Sequence, residues 1–187
     1  LELARHAESL GVNAIAAIPP IYFKLPDHAI QAYWNAISAA APLTDFMIYN
    51  IPQLAGVALS DSLLSSMPEN PLVMGIKNSS MAVQDIARFK QIAGLDKVVF
   101  NGPDEQLLAG LAMGADGGIG GTYGVMPEVY LAIENFYKSG EMDRALICQN
   151  QAREIIEMIQ RCRGNIYAVI KEIILRREKI DIGRVRL

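Results

Sequence analysis

Short apolar runs without alternation recur along this chain, and each is followed by a stretch with helical spacing. Residues 12–20, "VNAIAAIPP", end on a double proline; residues 45–52, "DFMIYNIP", stop at Pro52; residues 73–80, "VMGIKNSS", close on small polar residues. A strand with one wet face alternates, so a continuous run predicts a strand covered on both faces, as in a parallel sheet. Helical segments are expected over 3–10, 27–40, 60–67, 82–93 and 106–113, with Gly11, Gly94 and Gly114 as stops and Asp27 and Ser60 as N-caps. Segments 96–105 and 115–124 supply two more strands with their loops, which makes five strand–helix units. From Pro127 the pattern is helical, broken at Ser139-Gly140 and near Gly164. An open doubly wound α/β sheet and a closed (β/α)8 barrel both produce this signal. No linker divides the chain, so one domain over 1–187 is expected, with a helical C-terminal part over 127–187.

Composition narrows the function classes. Hydrophobic residues make up 51% and charged residues 20%, a globular balance. The net charge is -3 and no basic tract interleaves with aromatics, which argues against nucleic acid. No apolar run approaches the ~20 residues of a membrane helix. Cys148 and Cys162 stand fourteen residues apart in one helical pattern, so they are expected as unpaired thiols in a reducing cytoplasm.

In both architectures function collects at the C-terminal ends of strands. Tyr49, Lys77, Asp104, Glu105 and Thr122 all fall there. Lys77 follows the apolar residues 73–76. A strand-end lysine can simply snorkel to solvent or pair with a carboxylate. It can also be a Schiff-base amine, because apolar surroundings disfavour the charged form of an amine and free its lone pair to attack a carbonyl. The resulting iminium draws electrons and makes an adjacent C–C bond breakable. Neighbouring strands of a parallel sheet lie ~4.8 Å apart, which can bring Tyr49 to Lys77 as a proton-transfer group; the alternative is a core tyrosine with a satisfied hydroxyl. Asp104 and Glu105, in "NGPDE", either favour a helix N-terminus or accept hydrogen bonds from a polyol. The stretch "GGIGGTYG" can cradle an anion through backbone N–H groups, but it lacks the spacing for ATP or NAD. His6 and His28 sit on helices away from these strand ends, and no metal-ligand set is visible.

Taken together and in this order, "YNIP", "GIKNSS", "NGPDE" and "GADGGIGGTYG" resemble the N-acetylneuraminate lyase branch of the dihydrodipicolinate synthase/N-acetylneuraminate lyase superfamily, along essentially the whole chain. The resemblance implies a (β/α)8 TIM barrel and a pyruvate-handling class I aldolase that needs no cofactor and no metal. It implies that Lys77 forms the imine, that Tyr49 relays protons, and that Ser79 touches the substrate. Gly102, Asp104 and Glu105 match the branch's sugar-binding "G-x-D-E" segment, and dihydrodipicolinate synthases lack that acidic pair. Gly121 stands where the branch often has a sugar-holding serine, which leaves a 2-keto-3-deoxy-sugar-acid aldolase or a dihydrodipicolinate synthase-like enzyme as the neighbouring alternatives. A non-catalytic barrel that only binds a keto acid is the alternative of another class. Compared with the family, the chain is expected to cover about the last five βα units, with N-terminal strands and C-terminal helices missing. A cytoplasmic homotetramer acting on pyruvate and sialic acid, or a related keto sugar acid, is what the family suggests.

Overall fold

The computed structural model describes residues 1–94 and 96–186. In chain order the elements are α1 (Glu2–Ser9), β1 (Ala14–Ala17), α2 (Asp27–Ala39), β2 (Asp45–Asn50), α3 (Pro52–Ala55), α4 (Asp61–Ser66), β3 (Val73–Asn78), α5 (Asp85–Ala93), β4 (Val98–Asn101), α6 (Leu107–Ala112), β5 (Gly117–Gly118), α7 (Pro127–Lys138), α8 (Met142–Arg161) and α9 (Ile166–Glu178). Short 3-10 turns at Met67–Glu69 and Asp104–Gln106 precede β3 and α6.

The five strands are all parallel and lie in the order β1-β2-β3-β4-β5. Each strand pairs with the next one in sequence. With right-handed crossovers, that order places the connecting helices on one face. A doubly wound sheet would reverse its order at a switch point, and this one does not. The sheet is therefore of the (β/α) barrel type, a partial barrel of five strands.

Strand alternation sorts the side chains. Phe46, Ile48, Ile76 and Val99 are essentially fully buried and pack with Trp34 of α2, Leu63 of α4 and Phe89 of α5. Trp34 also donates its indole N–H to the Ala17 carbonyl at 3.1 Å, which ties α2 to the end of β1. The opposite face carries Met47, Tyr49, Lys77 and Phe100. The strands are thus covered on both faces as expected, by helices on one side only. The runs lack alternation because a barrel's inner face is lined by the strands' own side chains. A second core joins α6 to α9 through Leu107, Tyr130, Ile133, Ile156 and Ile170.

Other departures have local causes. The strand expected over 12–20 pairs only at Ala14–Ala17, since the prolines that follow cannot donate to a ladder. Over 115–124 only Gly117–Gly118 pairs, in a stretch with few side chains to pack. The short α3 was not expected; it starts on Pro52, which fits the first helical turn, and closes on Gly56 at φ 74°. Ser60 caps α4 as expected, accepting from Leu63 N at 3.1 Å. Asp27 is not a cap. It is the first residue of α2, and its Oδ2 accepts from Ser60 Oγ at 2.5 Å and Ser62 Oγ at 2.7 Å, which holds its carboxyl below the usual carboxylate range. The C-terminal breaks fall where expected, at Gly140 (φ 75°) and Gly164 (φ 102°), though 179–186 are not helical and Leu187 lies outside the described residues. No described helix is long and apolar enough to cross a membrane. Cys148 and Cys162 are free thiols.

Candidate active site

The C-terminal ends of β2, β3 and β4 open onto a cavity of about 520 Å³. Tyr49, Lys77, Ser79, Gly102, Asp104, Glu105 and Gly121 all line it. Parallel pairing explains why residues so distant in sequence meet. Tyr49 is the register partner of Lys77, and Lys77 of Phe100, so the phenol and the amine rise from adjacent strands on the same face. Lys77 Nζ lies 3.9 Å from the centre of the Tyr49 ring. The nitrogen thus stands over the face of the ring, the geometry of a cation–π contact.

Ser79 continues the strand by one step beyond Asn78. Its N–H donates to the Asn50 carbonyl at 2.7 Å, and its carbonyl accepts from Gln53 Nε2 at 3.0 Å, so α3 helps to hold it. Gly102 packs against it so closely that no side chain fits between.

The two carboxylates have different surroundings. Asp104 is only 8% exposed. Its Oδ2 accepts from Thr122 N at 2.8 Å and from Thr122 Oγ1 at 2.5 Å. Because Thr122 Oγ1 donates there, the contact of 2.5 Å between Tyr130 Oη and Thr122 Oγ1 has Tyr130 as donor. Burial pushes the Asp104 carboxyl up, while the Thr122 bonds and the charge of Lys77 act against the rise. Its Oδ1 lies over Gly120, where a Cβ would collide with it. Glu105 is exposed at the rim, and no hydrogen bond or ion pair of its carboxylate is found among the described residues. The pair thus divides into a buried acid that ties the glycine-rich loop to the strand end and a rim acid open to a ligand.

Several contributors carried no sequence signal. Gln149 of α8 accepts from Leu108 N at 2.8 Å and donates to the Asp104 carbonyl at 3.2 Å, anchoring the acidic turn. Tyr167 of α9 borders the cavity beside Gly121, with Cε1 3.6 Å from where a Cβ on that glycine would stand. Both come from the C-terminal helices, and only tertiary packing brings them near. Tyr123 stacks on Tyr130 at 3.9 Å between ring centres, and burial pushes both phenols up. Among the described residues no group of His, Cys, Asp and Glu is placed to hold a metal ion.

Chemically, the cavity joins an amine, a phenol, a hydroxyl and two carboxylates over a few strand ends. An amine can add to a carbonyl, a phenol can exchange protons, and the remaining groups can bind hydroxyls.

The model of the dihydrodipicolinate synthetase family matches residues 1–182. The N-acetylneuraminate lyase of Mediterraneibacter gnavus is 60% identical over 185 residues, covering 99% of this chain and 59% of that protein. A solved wild-type sialic acid aldolase of Ruminococcus gnavus superposes with a TM-score of 0.95 at 59% identity, covering 99% of this chain and 61% of that one. The structure of that aldolase's catalytic lysine mutant matches with the same TM-score, 0.95, and identity, 59%. The chain therefore spans about three fifths of the length of the relatives it matches. Parallel strands in sequence order, a lysine and a tyrosine paired at their C-terminal ends, and a family model matching nearly every residue lead to one conclusion: this chain belongs to the dihydrodipicolinate synthetase family.

Proposed function

We propose that the protein carrying this chain is a class I aldolase that reversibly cleaves N-acetylneuraminate to pyruvate and N-acetylmannosamine, with Lys77 as the imine-forming residue. The observation that carries the proposal is the register pair of Tyr49 and Lys77, with the amine 3.9 Å from the ring centre in a cavity that also holds Ser79 and Glu105. The likeness to N-acetylneuraminate lyase, and to an aldolase with a catalytic lysine, supports the same reaction class.

The steps follow from the groups present. The neutral Lys77 amine adds to the keto carbon of the open-chain substrate, and water leaves to give an iminium. The C4 hydroxyl loses its proton, the C3–C4 bond breaks, and its electron pair moves onto the iminium carbon framework as an enamine. An aldehyde departs. The enamine takes a proton at C3, and water hydrolyses the imine to release pyruvate and restore the amine. Tyr49 moves the protons, with the substrate carboxylate or Ser79 as its partner. Glu105 accepts hydrogen bonds from sugar hydroxyls, and Asp104 does so with its free oxygen while its other oxygen holds Thr122. No organic cofactor is required, because the protonated imine is itself the electron sink. A homotetramer in the cytoplasm belongs to the same proposal, and sedimentation and cell fractionation test it.

One observation favours a second substrate. Gly121 offers no hydroxyl where the lyase branch often has a serine, which suits a 2-keto-3-deoxy-sugar acid. The deciding experiment is reduction with borohydride in the presence of pyruvate, followed by mass spectrometry of the peptide spanning 75–80. Modification of Lys77 is expected. Its absence in an active protein would end the Schiff-base reading, and a preference for 2-keto-3-deoxygluconate over N-acetylneuraminate would transfer the assignment to the second substrate.

A further inference from the structure

One residue beyond the row that carries Tyr49 and Lys77 lies a second row. Asn50, Asn78 and Asn101 are register neighbours on β2, β3 and β4, and each is at most 2% exposed. Alternation turns them to the helix-covered face, where Ile48, Ile76 and Val99 precede them as ordinary core residues. Burying an amide is costly unless all its bonds are met, and apolar residues would fill this face without that cost.

The bonds of these amides run to the loops that leave the strand ends. Asn50 Nδ2 donates to Asn78 Oδ1 at 2.7 Å, and Asn50 Oδ1 accepts from Leu59 N at 3.0 Å. Asn78 Oδ1 also accepts from Ser80 N at 3.2 Å, and its Nδ2 donates to Ser80 Oγ at 3.1 Å. Ser80 Oγ in turn donates to Asp85 Oδ2 at 2.7 Å, which fastens the loop to the first turn of α5. The backbone of Asn78 is fixed as well, since its carbonyl accepts from Gly102 N at 2.7 Å. Asn78 thus lies between Lys77 and Ser79, both in the cavity, and its one side chain locks the neighbouring strand and the exit loop together.

We propose that Asn78 is a positioning residue for the Schiff-base reaction: through Asn50 and Ser80 it sets where Lys77 and Ser79 stand relative to Tyr49. The proposal rests on the aldolase reading above. A misplacement of about 1 Å in reacting groups can cost up to ~100-fold in rate.

The test uses the intact polypeptide that carries this chain. Pyruvate and borohydride must first label Lys77 in the wild type; if they do not, the aldolase reading fails and this proposal falls with it. Asn78→Asp keeps the volume and both acceptor roles but turns the Nδ2 donor into an acceptor. Rates are taken per folded molecule, counted by circular dichroism below the melting transition. At neutral pH kcat is expected to fall about tenfold or more, with KM changed less than about threefold and the rate of borohydride trapping falling in parallel. The ratio of variant to wild-type kcat is expected to recover as the pH is lowered, because a protonated carboxyl again donates to Ser80 Oγ. Ser80→Ala removes the acceptor of Asn78 Nδ2 together with the bond that ties the loop to Asp85, and a kcat loss of about threefold is expected; it decides alone if Asn78→Asp does not fold. An asparagine that merely stabilises the fold would lower the melting temperature and leave kcat per folded molecule unchanged. A folded Asn78→Asp within twofold of wild type in kcat across the pH range, or an unchanged Ser80→Ala where that variant decides, overturns the proposal.

Discussion

Gly102 lies so close to Ser79 that a Cβ on it would sit 1.9 Å from the serine hydroxyl oxygen and 2.7 Å from the Asn78 carbonyl oxygen. The contact joins two adjacent strand ends in the cavity wall. Gly102→Ala must push Ser79 away and strain the Gly102 N–H bond to Asn78. A destabilisation of about 1–3 kcal/mol is expected, the usual scale of overpacking, together with a lower kcat/KM. Ser79→Gly added to Gly102→Ala should recover part of the melting temperature, because it removes the side-chain half of the clash and leaves the carbonyl half. No recovery in thermal melts of the double variant would refute a direct clash.

Tyr49 offers two separable functions, a ring against Lys77 and a phenolic O–H. Tyr49→Phe keeps the ring and removes only the O–H. Pyruvate imine trapping at Lys77 is expected to persist, while turnover of the sugar acid falls about 10²–10⁴-fold, the range for loss of a proton-transfer group. Lys77→Arg should abolish both, since a guanidinium stays protonated. Equal loss of trapping and turnover in Tyr49→Phe would show that the phenol is needed for imine formation itself.

Asp104 gives a pH-dependent signature. Its carboxyl is pushed up by burial, so the folded state binds the proton more tightly than the unfolded chain does. Its contribution to stability is therefore fully present below the unfolded value, near ~3.9, and is lost as pH rises through the folded value. Asp104→Asn retains an oxygen for both Thr122 donors and removes the buried charge. The variant is expected to melt at or above the wild-type temperature at pH 7, with the difference vanishing toward about pH 3–4. A variant less stable than wild type at pH 7, by calorimetry, would show that the Thr122 bonds need the charge.

Glu105 should behave in the opposite way. It is exposed and makes no side-chain bond among the described residues, so Glu105→Gln is expected to leave the melting temperature within about a degree of wild type. Sugar-acid cleavage should weaken by about 1.5–3 kcal/mol in kcat/KM, the worth of a hydrogen bond to a charged group. Pyruvate trapping at Lys77 should be unaffected. If trapping falls as far as cleavage, Glu105 acts on the imine and not on the sugar.

The sequence alone determined the strand–helix rhythm and placed Tyr49, Lys77, Asp104 and Glu105 at strand ends, while Ser79, Gly102 and Gly121 were singled out only by the family resemblance. It did so because strand runs, prolines and glycines act within a few residues of chain, and because function collects at strand ends. Tyr49, Lys77 and the Asp104-Glu105 pair were legible for that reason. The choice between an open sheet and a barrel was not carried by the runs. It needed the strand order, which depends on contacts between distant segments. Tertiary structure also decided the unequal fates of Asp104 and Glu105: adjacent in sequence, one is buried under Thr122 and the other faces solvent. The anchoring of that turn by Gln149, the approach of Tyr167 and the asparagine row behind the lysine have the same origin. Each is a hydrogen bond or packing contact between elements far apart along the chain, and no local propensity encodes which partner a buried amide will find.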